Sequence, residues 1–504
     1  MDRMPPEERH RESLVRFMPI AAGLLISQAI ATAFVYFSDR HVLDRVAATQ
    51  KAGYLAIPAG PVTATLKSFD AAFWGGLFFT LSVGVGLTLA TWAAIYLWQR
   101  ILHRKRPLLA FYVLAWVGLI AAINWKGFAL FPSLFCLLVP LSTTWTAVKV
   151  LPASQGKRGL QWIVPLVTLI LMTALWATQL NRDLFISIRD QILLSNPVGR
   201  SVNDFYYRYT LYAAEAFKSF QQKTQHACRL EGLDAVPASR QWEAFLARFD
   251  LLVLPQIQQP DVRLLFSGDN LRLVSPHGRG IALPVKQFKT DPLRALQVFS
   301  KAIDRYGPFR RITLVGLLIG FPILLFVTVY AALYWLAQKI FGVERAALIS
   351  SGMCMVIGIL LFLPMHHAGT ITAMTPEKIP AALVEGDWTI RVAAIRYIEA
   401  HKMEIAAYPS YQGLLDSPLV VERYWLARAM AGSSSEQTYQ QLLRLMQDPN
   451  PNVTCQAFYA LGVRGRRAAI EPIKVRLIAS SNWYSQWYGY RALRRLGWHQ
   501  SRSN

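Results

Sequence analysis

The sequence predicts an α-helical integral membrane protein with a small α+β extramembrane module and a C-terminal α-solenoid. Three observations predict it. Seven stretches stay apolar over roughly the 20 residues a helix needs to cross a bilayer. One polar segment breaks into short β-like runs between turn residues. The last quarter of the chain repeats a helical register at a near-constant interval.

The bulk numbers agree with a membrane chain. Of 504 residues, 53% are apolar and only 16% charged, against roughly 25% charged in an average soluble protein. The length exceeds one domain of roughly 100–200 residues. The net charge of +23 lies beside apolar runs and across two polar regions, with no dense Lys/Arg tract. That distribution reads as topology signals and attraction to the anionic lipid bilayer, and no nucleic acid is expected as a partner.

The expected spans are 17–38, 71–98, 107–124, 127–148, 161–180, 312–338 and 346–365. They divide the chain into a membrane region (1–180), an extramembrane module (181–311), a transmembrane hairpin (312–365) and a repeat domain (366–504). The first run is longer than the roughly 7–15 apolar residues of a signal-peptide core and follows a polar lead, so an uncleaved anchor is expected. Arg3, Arg9, Arg11 and Arg16 precede span one. Arg100, Arg104, Lys105 and Arg106 follow span two. Lys149, Lys157 and Arg158 follow span four, and Lys339 and Arg345 lie between six and seven. In a seven-span topology these fall on one side, which marks the cytoplasm. Both polar domains then share the other face, the periplasmic side of a bacterial inner membrane. The helical loop 39–70 carries four basic residues of its own.

The apolar cores hold no Asp or Glu and no deep His, so neither a proton relay nor bis-His haem is expected. Their notable feature is small-residue spacing: Ala72 with Gly76, Ser82 with Gly86, and Gly316 with Gly320. Small residues four apart let helix backbones approach, which implies bundle packing. Pro322 is placed to kink span six. Met353-Cys354-Met355 and Met365-His366-His367 bracket span seven with soft-metal ligand types, but they stand roughly 15 Å or more apart along one helix. No metal site or cofactor is expected. Cys136, Cys228, Cys354 and Cys455 form no CxxC or CxxCH pair. Free thiols are expected, with Cys228 and Cys455 able to pair only if their domains meet in an oxidising compartment.

After span five, Asn196-Pro197 and Gly199 break the chain, and an aromatic stripe follows through Phe205, Tyr206, Tyr209, Tyr212, Phe217 and Phe220. Its spacing is helical, and it reads equally as core or as a helix at the lipid interface. Between expected helices at 239–249 and 292–306, DVRLLFSGDNLRLVSPHGRGIALPVKQF predicts two or three antiparallel strands. Ser275-Pro-His-Gly-Arg-Gly280 lacks the strand–loop–helix setting of a phosphate loop and reads as a turn.

The tail aligns on itself. Ile390, Glu422, Val453 and Tyr488 form one column, 31–35 residues apart; Ala394, Leu426, Ala457 and Ala492 the next; Ile398, Met430, Leu461 and Leu496 a third. A short apolar helix precedes each, near 379–384, 411–415, 439–446 and 470–478. Such helix pairs bury their apolar faces only by stacking. Asp448-Pro-Asn-Pro-Asn-Val453-x-x-x-Ala457-x-x-Ala460-Leu461-Gly462 resembles the turn and second helix of a HEAT-like repeat of the short type found in phycobilin lyases. Glu422 departs from that pattern by standing in the usual Val column. The resemblance covers about a quarter of the chain and implies protein binding. Tyr424, Trp425, Trp483, Trp487, Tyr488 and Tyr490 are the candidate partner-binding residues, as aromatics anchor interfaces. A cap against the membrane or the first module accounts for them equally.

The expected function is a membrane-anchored scaffold or assembly protein that binds other proteins through its repeats, without chemistry of its own. One alternative is a transporter or channel subunit with a regulatory solenoid. Another is a membrane enzyme acting on a lipid-linked substrate, with Arg189, Asp190, Asp204, His366 and His367 as the residues to inspect.

Overall fold

The structure, a computed structural model, describes residues 6–100, 106–150, 160–232, 236–369 and 374–502. The expected topology signals Arg3, Arg104, Lys105, Lys157 and Arg158 lie outside the described residues. So do the side chains of Arg9, Arg11, Arg16, Arg100, Arg106, Met365, His366 and His367.

The chain is mostly helical. Five helical stretches are long and apolar enough to cross a membrane: Phe17–Lys51, Phe69–Gln99, Leu130–Val150, Gly307–Gln338 and Val343–Leu363. The other two expected spans are helices whose described apolar parts are shorter, Leu109–Asn124 and Ile163–Thr178.

Helix α1 (Pro6–Lys51) is the mast of the molecule. At 1.5 Å per residue it runs about 69 Å, more than twice a hydrocarbon core of about 30 Å. The sequence reading ended this span at residue 38 and placed a helical loop after it. The helix instead continues unbroken, because Val42, Val46 and Thr49 bury its upper half against the rest of the chain. After α2 (Pro61–Thr65), α3 (Phe69–Phe79) and α4 (Val85–Arg100) form the next span, joined through a π-helical turn, Thr80–Gly84. Helices α5 (Arg106–Asn124), α6 (Leu130–Val150) and α7 (Leu160–Thr178) follow. Helix α1 packs on α3, α4 and α6.

A short α8 (Leu184–Ile188) leads to the aromatic helix α9 (Pro197–Phe217), which lies against α1 and α3. Its start is set by Asn196, whose side chain accepts the Gly199 N–H, with Pro197 in the first turn. Beyond it stands a five-stranded sheet: β1 (His226–Glu231), β2 (Leu251–Val253), β3 (Val262–Ser267), β4 (Asn270–Val274) and β5 (Gly280–Pro284), in the order β2-β1-β3-β4-β5. Strands β3, β4 and β5 are the expected antiparallel set. Strands β1 and β2 are additional and parallel, β1 pairing with both β2 and β3. Helix α10 (Val236–Ala247) makes the β1–β2 crossover, and α11 (Val285–Thr290) and α12 (Pro292–Ile303) follow the sheet. Ser275–Gly280 is the β4–β5 turn, with Gly278 at φ 78° and the Ser275 N–H donating to Arg279 O.

The second membrane hairpin is α13 (Gly307–Val315), a π turn at Gly316–Gly320, α14 (Phe321–Gln338) and α15 (Val343–Gly369). Pro322 lacks the N–H that would bond back into that turn, and the helix widens there. The two π turns face each other. A Cβ on Gly316 would stand 2.3 Å from the Ser82 carbonyl oxygen, and one on Gly320 3.1 Å from Gly86 Cα. The expected small-residue spacing is thus a backbone-to-backbone crossing of two helices. Gly76 serves the α1–α3 crossing in the same way, lying against Thr32, and Ala72 is fully buried one turn before it.

The tail holds α16 (Ile379–Ala382), α17 (Trp388–Ala400), α18 (Val420–Ala429), α19 (Glu436–Leu445), α20 (Pro451–Arg464), α21 (Ile470–Ala479) and α22 (Trp483–Arg495). Helices α17, α18, α20 and α22 pack in that order, side by side. Neighbours are tied by ion pairs: Arg391 to Glu422 at 2.6 Å, Arg423 to Asp448 at 2.7 Å, and Arg428 to Glu399 at 2.7 Å. Glu422 is 1% exposed and also accepts from the Ser417 hydroxyl, so a carboxylate stands where the column calls for Val because an arginine from the preceding helix meets it.

A candidate ligand-binding junction

The tail is built into the rest of the chain through the loop between α1 and α2. Residues 53–60 run without regular structure, and three glutamines clasp them as a neighbouring strand would. The Gln486 carboxamide accepts the Ala59 N–H at 2.9 Å and donates to Ala59 O at 2.9 Å. Gln225 accepts the Ile57 N–H at 3.0 Å and donates to Leu55 O at 2.7 Å. Gln500 accepts the Leu55 N–H at 3.1 Å and donates to the same carbonyl at 2.8 Å. One module residue and two tail residues thereby satisfy buried peptide groups of a membrane-region loop. The loop ends at Gly60, φ 49°, where a Cβ would stand 2.5 Å from Ile478 O; only glycine fits.

Four of the six aromatic candidates are spent on this internal junction. Tyr424, Trp425, Trp483 and Tyr490 are buried. The Trp425 indole N–H donates to Asp190 at 2.8 Å, and the Arg189 guanidinium sits 3.8 Å from the Tyr424 ring centroid. Trp483 meets Tyr212 of α9 edge-on at 5.3 Å. The Tyr490 hydroxyl donates to Asp250, which also pairs with Arg494 at 3.1 Å. These residues are therefore buried between the tail on one side and α9, the sheet module and the Arg189–Leu193 turn after α8 on the other. Trp487 and Tyr488 are half-buried and line cavities. Arg189 and Asp190 pair with each other beneath the tail, and Asp204 lies exposed and apart from them. They do not converge into a reactive site.

A cluster of charges welds mast, α9 and sheet together. Arg45 pairs with Glu215 at 2.8 Å and reaches Asp261 at 3.9 Å; Lys218 pairs with Glu215 at 2.8 Å, and Lys223 with Asp261. Burial pushes the Asp261 carboxyl up, but Lys223 and Arg45 beside it outweigh burial and bring it down to about 2. Glu215 is held below the usual carboxylate range in the same way, by Lys218 and Arg45 against burial. His226, stacked on Phe220 at 3.9 Å, is brought down to about 4 by burial. Burial pushes Asp250 up, against the pull of Arg494.

Between these parts lies a cavity of about 960 Å³. Phe78 and Phe79 of α3, Phe309 and Leu314 of α13, and Leu317 give it an apolar floor. Lys218, Lys223, Arg310, Arg491, Arg494 and Arg495 give it a basic wall, with Asp250 its one acidic lining residue. One wall thus comes from about the first third of two candidate spans and the other from the last helix of the tail. A smaller cavity, about 220 Å³, adjoins Arg428, Gln456, Tyr459, Tyr488, Arg491 and Arg495. Among the described residues no group of three or more His, Cys, Asp or Glu is placed to hold a metal ion, and all four cysteines are buried free thiols. No protein-family model, curated protein or solved structure matches the chain.

Proposed function

We propose that the chain is a membrane-anchored scaffold whose C-terminal helix pairs form a HEAT-like, solenoid-type platform that binds another protein. The single observation that carries this reading is the ridge of arginines and aromatic rings along the successive helices α17, α18, α20 and α22. Arg396 lies 4.9 Å from the Trp425 ring centroid, Arg428 5.5 Å from Trp425 and 5.4 Å from Tyr459, and Arg495 4.8 Å from Tyr459. The rings hold Arg396 and Arg495 in place while Arg428 pairs with Glu399, a basic surface suited to an acidic protein segment. The glutamine clasp fixes the platform to the membrane helices, so the ridge is presented at a set height and angle. Stacking of the repeat helices, interlocked by the Arg391–Glu422 and Arg423–Asp448 pairs, supports the HEAT-like assignment. The basic loops between spans support an outward, periplasmic placement of the platform in a bacterial plasma membrane.

A photo-crosslinking phenylalanine analogue in place of Tyr459 tests the reading in intact cells. One discrete protein adduct is expected, lost when Arg396→Glu is added. Adducts to lipid alone, or adducts unchanged by Arg396→Glu, contradict it. A reporter enzyme fused after Asn504 tests the sidedness.

A further inference from the structure

Six cations line the large cavity, but four are already matched. Lys218 pairs with Glu215, Lys223 with Asp261, Arg310 with Asp304 and Arg494 with Asp250. Arg491 and Arg495 have no carboxylate within ion-pair reach among the described residues, and both are exposed. They stand four residues apart on α22, so they project from one face about 6 Å apart along its axis. Arg491 lies 4.6 Å from the Trp487 ring centroid, Arg495 4.8 Å from that of Tyr459. Each guanidinium is thus oriented by a ring, with its hydrogen-bonding edge left over. Paired guanidinium edges of this kind suit a phosphate.

The opposite wall decides what carries the phosphate. Phe78, Phe79, Leu314 and Leu317 belong to candidate membrane spans, in about the first third of Phe69–Gln99 and of Gly307–Gln338. Leu314 is 48% exposed, so the apolar side of the cavity includes accessible span surface. A soluble phosphate compound has no use for that floor; an amphiphile does.

We propose that this cavity binds a phosphate-bearing lipid, with the phosphate on Arg491 and Arg495 and the first carbons of its chains on Phe78, Phe79, Leu314 and Leu317. The site goes beyond the scaffold reading and shares only Arg495 with the ridge, so R491Q alone, which leaves the ridge intact, separates the two. The lipid enters sideways from the outer part of the bilayer and stays partly within it. Its negative charge offsets the two arginines that the protein leaves unmatched, and it fills the wedge between spans and tail.

The test uses the full-length chain in detergent, followed by native mass spectrometry during titration with phosphatidylglycerol, with phosphatidylcholine, and with inorganic phosphate as a competitor. The wild type is expected to hold one phosphatidylglycerol more tightly than phosphatidylcholine. R491Q/R495Q is expected to weaken that binding about tenfold or more, from loss of two charge-assisted contacts. Leu317→Trp, which fills the apolar floor and leaves both arginines, is expected to weaken phosphatidylglycerol as well, while R491K/R495K retains much of it. Equal retention by R491Q/R495Q and the wild type overturns the proposal. So does displacement of the lipid by equimolar inorganic phosphate, which would mark a site for the free anion. Thermal unfolding of each variant accompanies the titration, and Leu317→Trp separates loss of the site from loss of the α22 face.

Discussion

Replacing Gln486 by Leu tests the clasp that joins tail to anchor. Gln486 is fully buried, and its carboxamide satisfies both the N–H and the C=O of Ala59, itself 4% exposed. Leucine has nearly the same volume, so packing changes little while the two Ala59 peptide groups of the loop lose their partner, as does the Ser480 carbonyl within the tail. Each such group costs about 1–3 kcal/mol. Allowing for some gain from the apolar side chain, the junction weakens by about 2–4 kcal/mol. The assay is hydrogen–deuterium exchange of the 53–60 segment and of α22 in detergent micelles. A loss of 2–4 kcal/mol appears there as a fall in protection of about 30- to 1,000-fold. Gln486→Glu keeps the acceptor but turns a buried carboxylate oxygen onto the Ala59 and Ser480 carbonyls, and is expected to lose at least as much protection. Protection within about twofold of the wild type in Gln486→Leu would refute the view that this side chain holds loop and tail together.

Three further outcomes follow from the same structure. Gly316→Val drives a Cβ into the Ser82 carbonyl, 2.3 Å away, and is expected to lower stability by about 1–3 kcal/mol or more, read as a lower melting temperature in detergent; an unchanged melt contradicts the helix crossing. The His226 shift is downward, to about 4 from 6.5, so its contribution is present above pH 6.5 and is lost as pH falls toward 4, up to about 3 kcal/mol. His226→Phe keeps the stack on Phe220 and is expected to flatten the pH dependence of β1 exchange protection across that window, leaving the loss below pH 4 that Asp261 sets. Trp425→Phe removes the donor to buried Asp190 and is expected to cost about 1.5–3 kcal/mol, seen as faster proteolysis between α8 and α18, whereas an equal rate would mean that the pair does not clamp the tail.

What could be read in the sequence was local or periodic. The spacing of Ser82 with Gly86 and of Gly316 with Gly320 announced close helix packing, and the structure sets those two pairs against each other. The tail columns placed helices where Trp388–Ala400, Val420–Ala429, Pro451–Arg464 and Trp483–Arg495 are found. The antiparallel strands β3 to β5 were legible from their turns. Strands β1 and β2 were not, because HACRLE has no alternation and Leu251–Val253 is three residues long; a parallel pairing across α10 is visible only in space. The length of α1 was hidden by the polar residues after position 38, most of which stay exposed while Asp39 and Thr49 are buried and Arg45 pairs with Glu215 of α9. The clasp was hidden most completely. Gln225, Gln486 and Gln500 converge on residues 55–59 from far along the chain, and a glutamine carries no periodic signal. The aromatic cluster showed its need for burial but not the surface that meets it. Tyr212, Asp190 and Asp250 supply that surface from three separate elements.

The central claim is that the C-terminal helices and the membrane anchor form one rigid unit that offers a fixed platform. Spin labels at Val475 and Val198, 68% and 76% exposed on α21 and α9, measure it directly by double electron–electron resonance in lipid nanodiscs. A single narrow distance distribution is expected, unchanged by added salt and broadened by Gln486→Leu. A broad or multimodal distribution in the wild-type background would show a tail swinging on its tether, and would contradict the account.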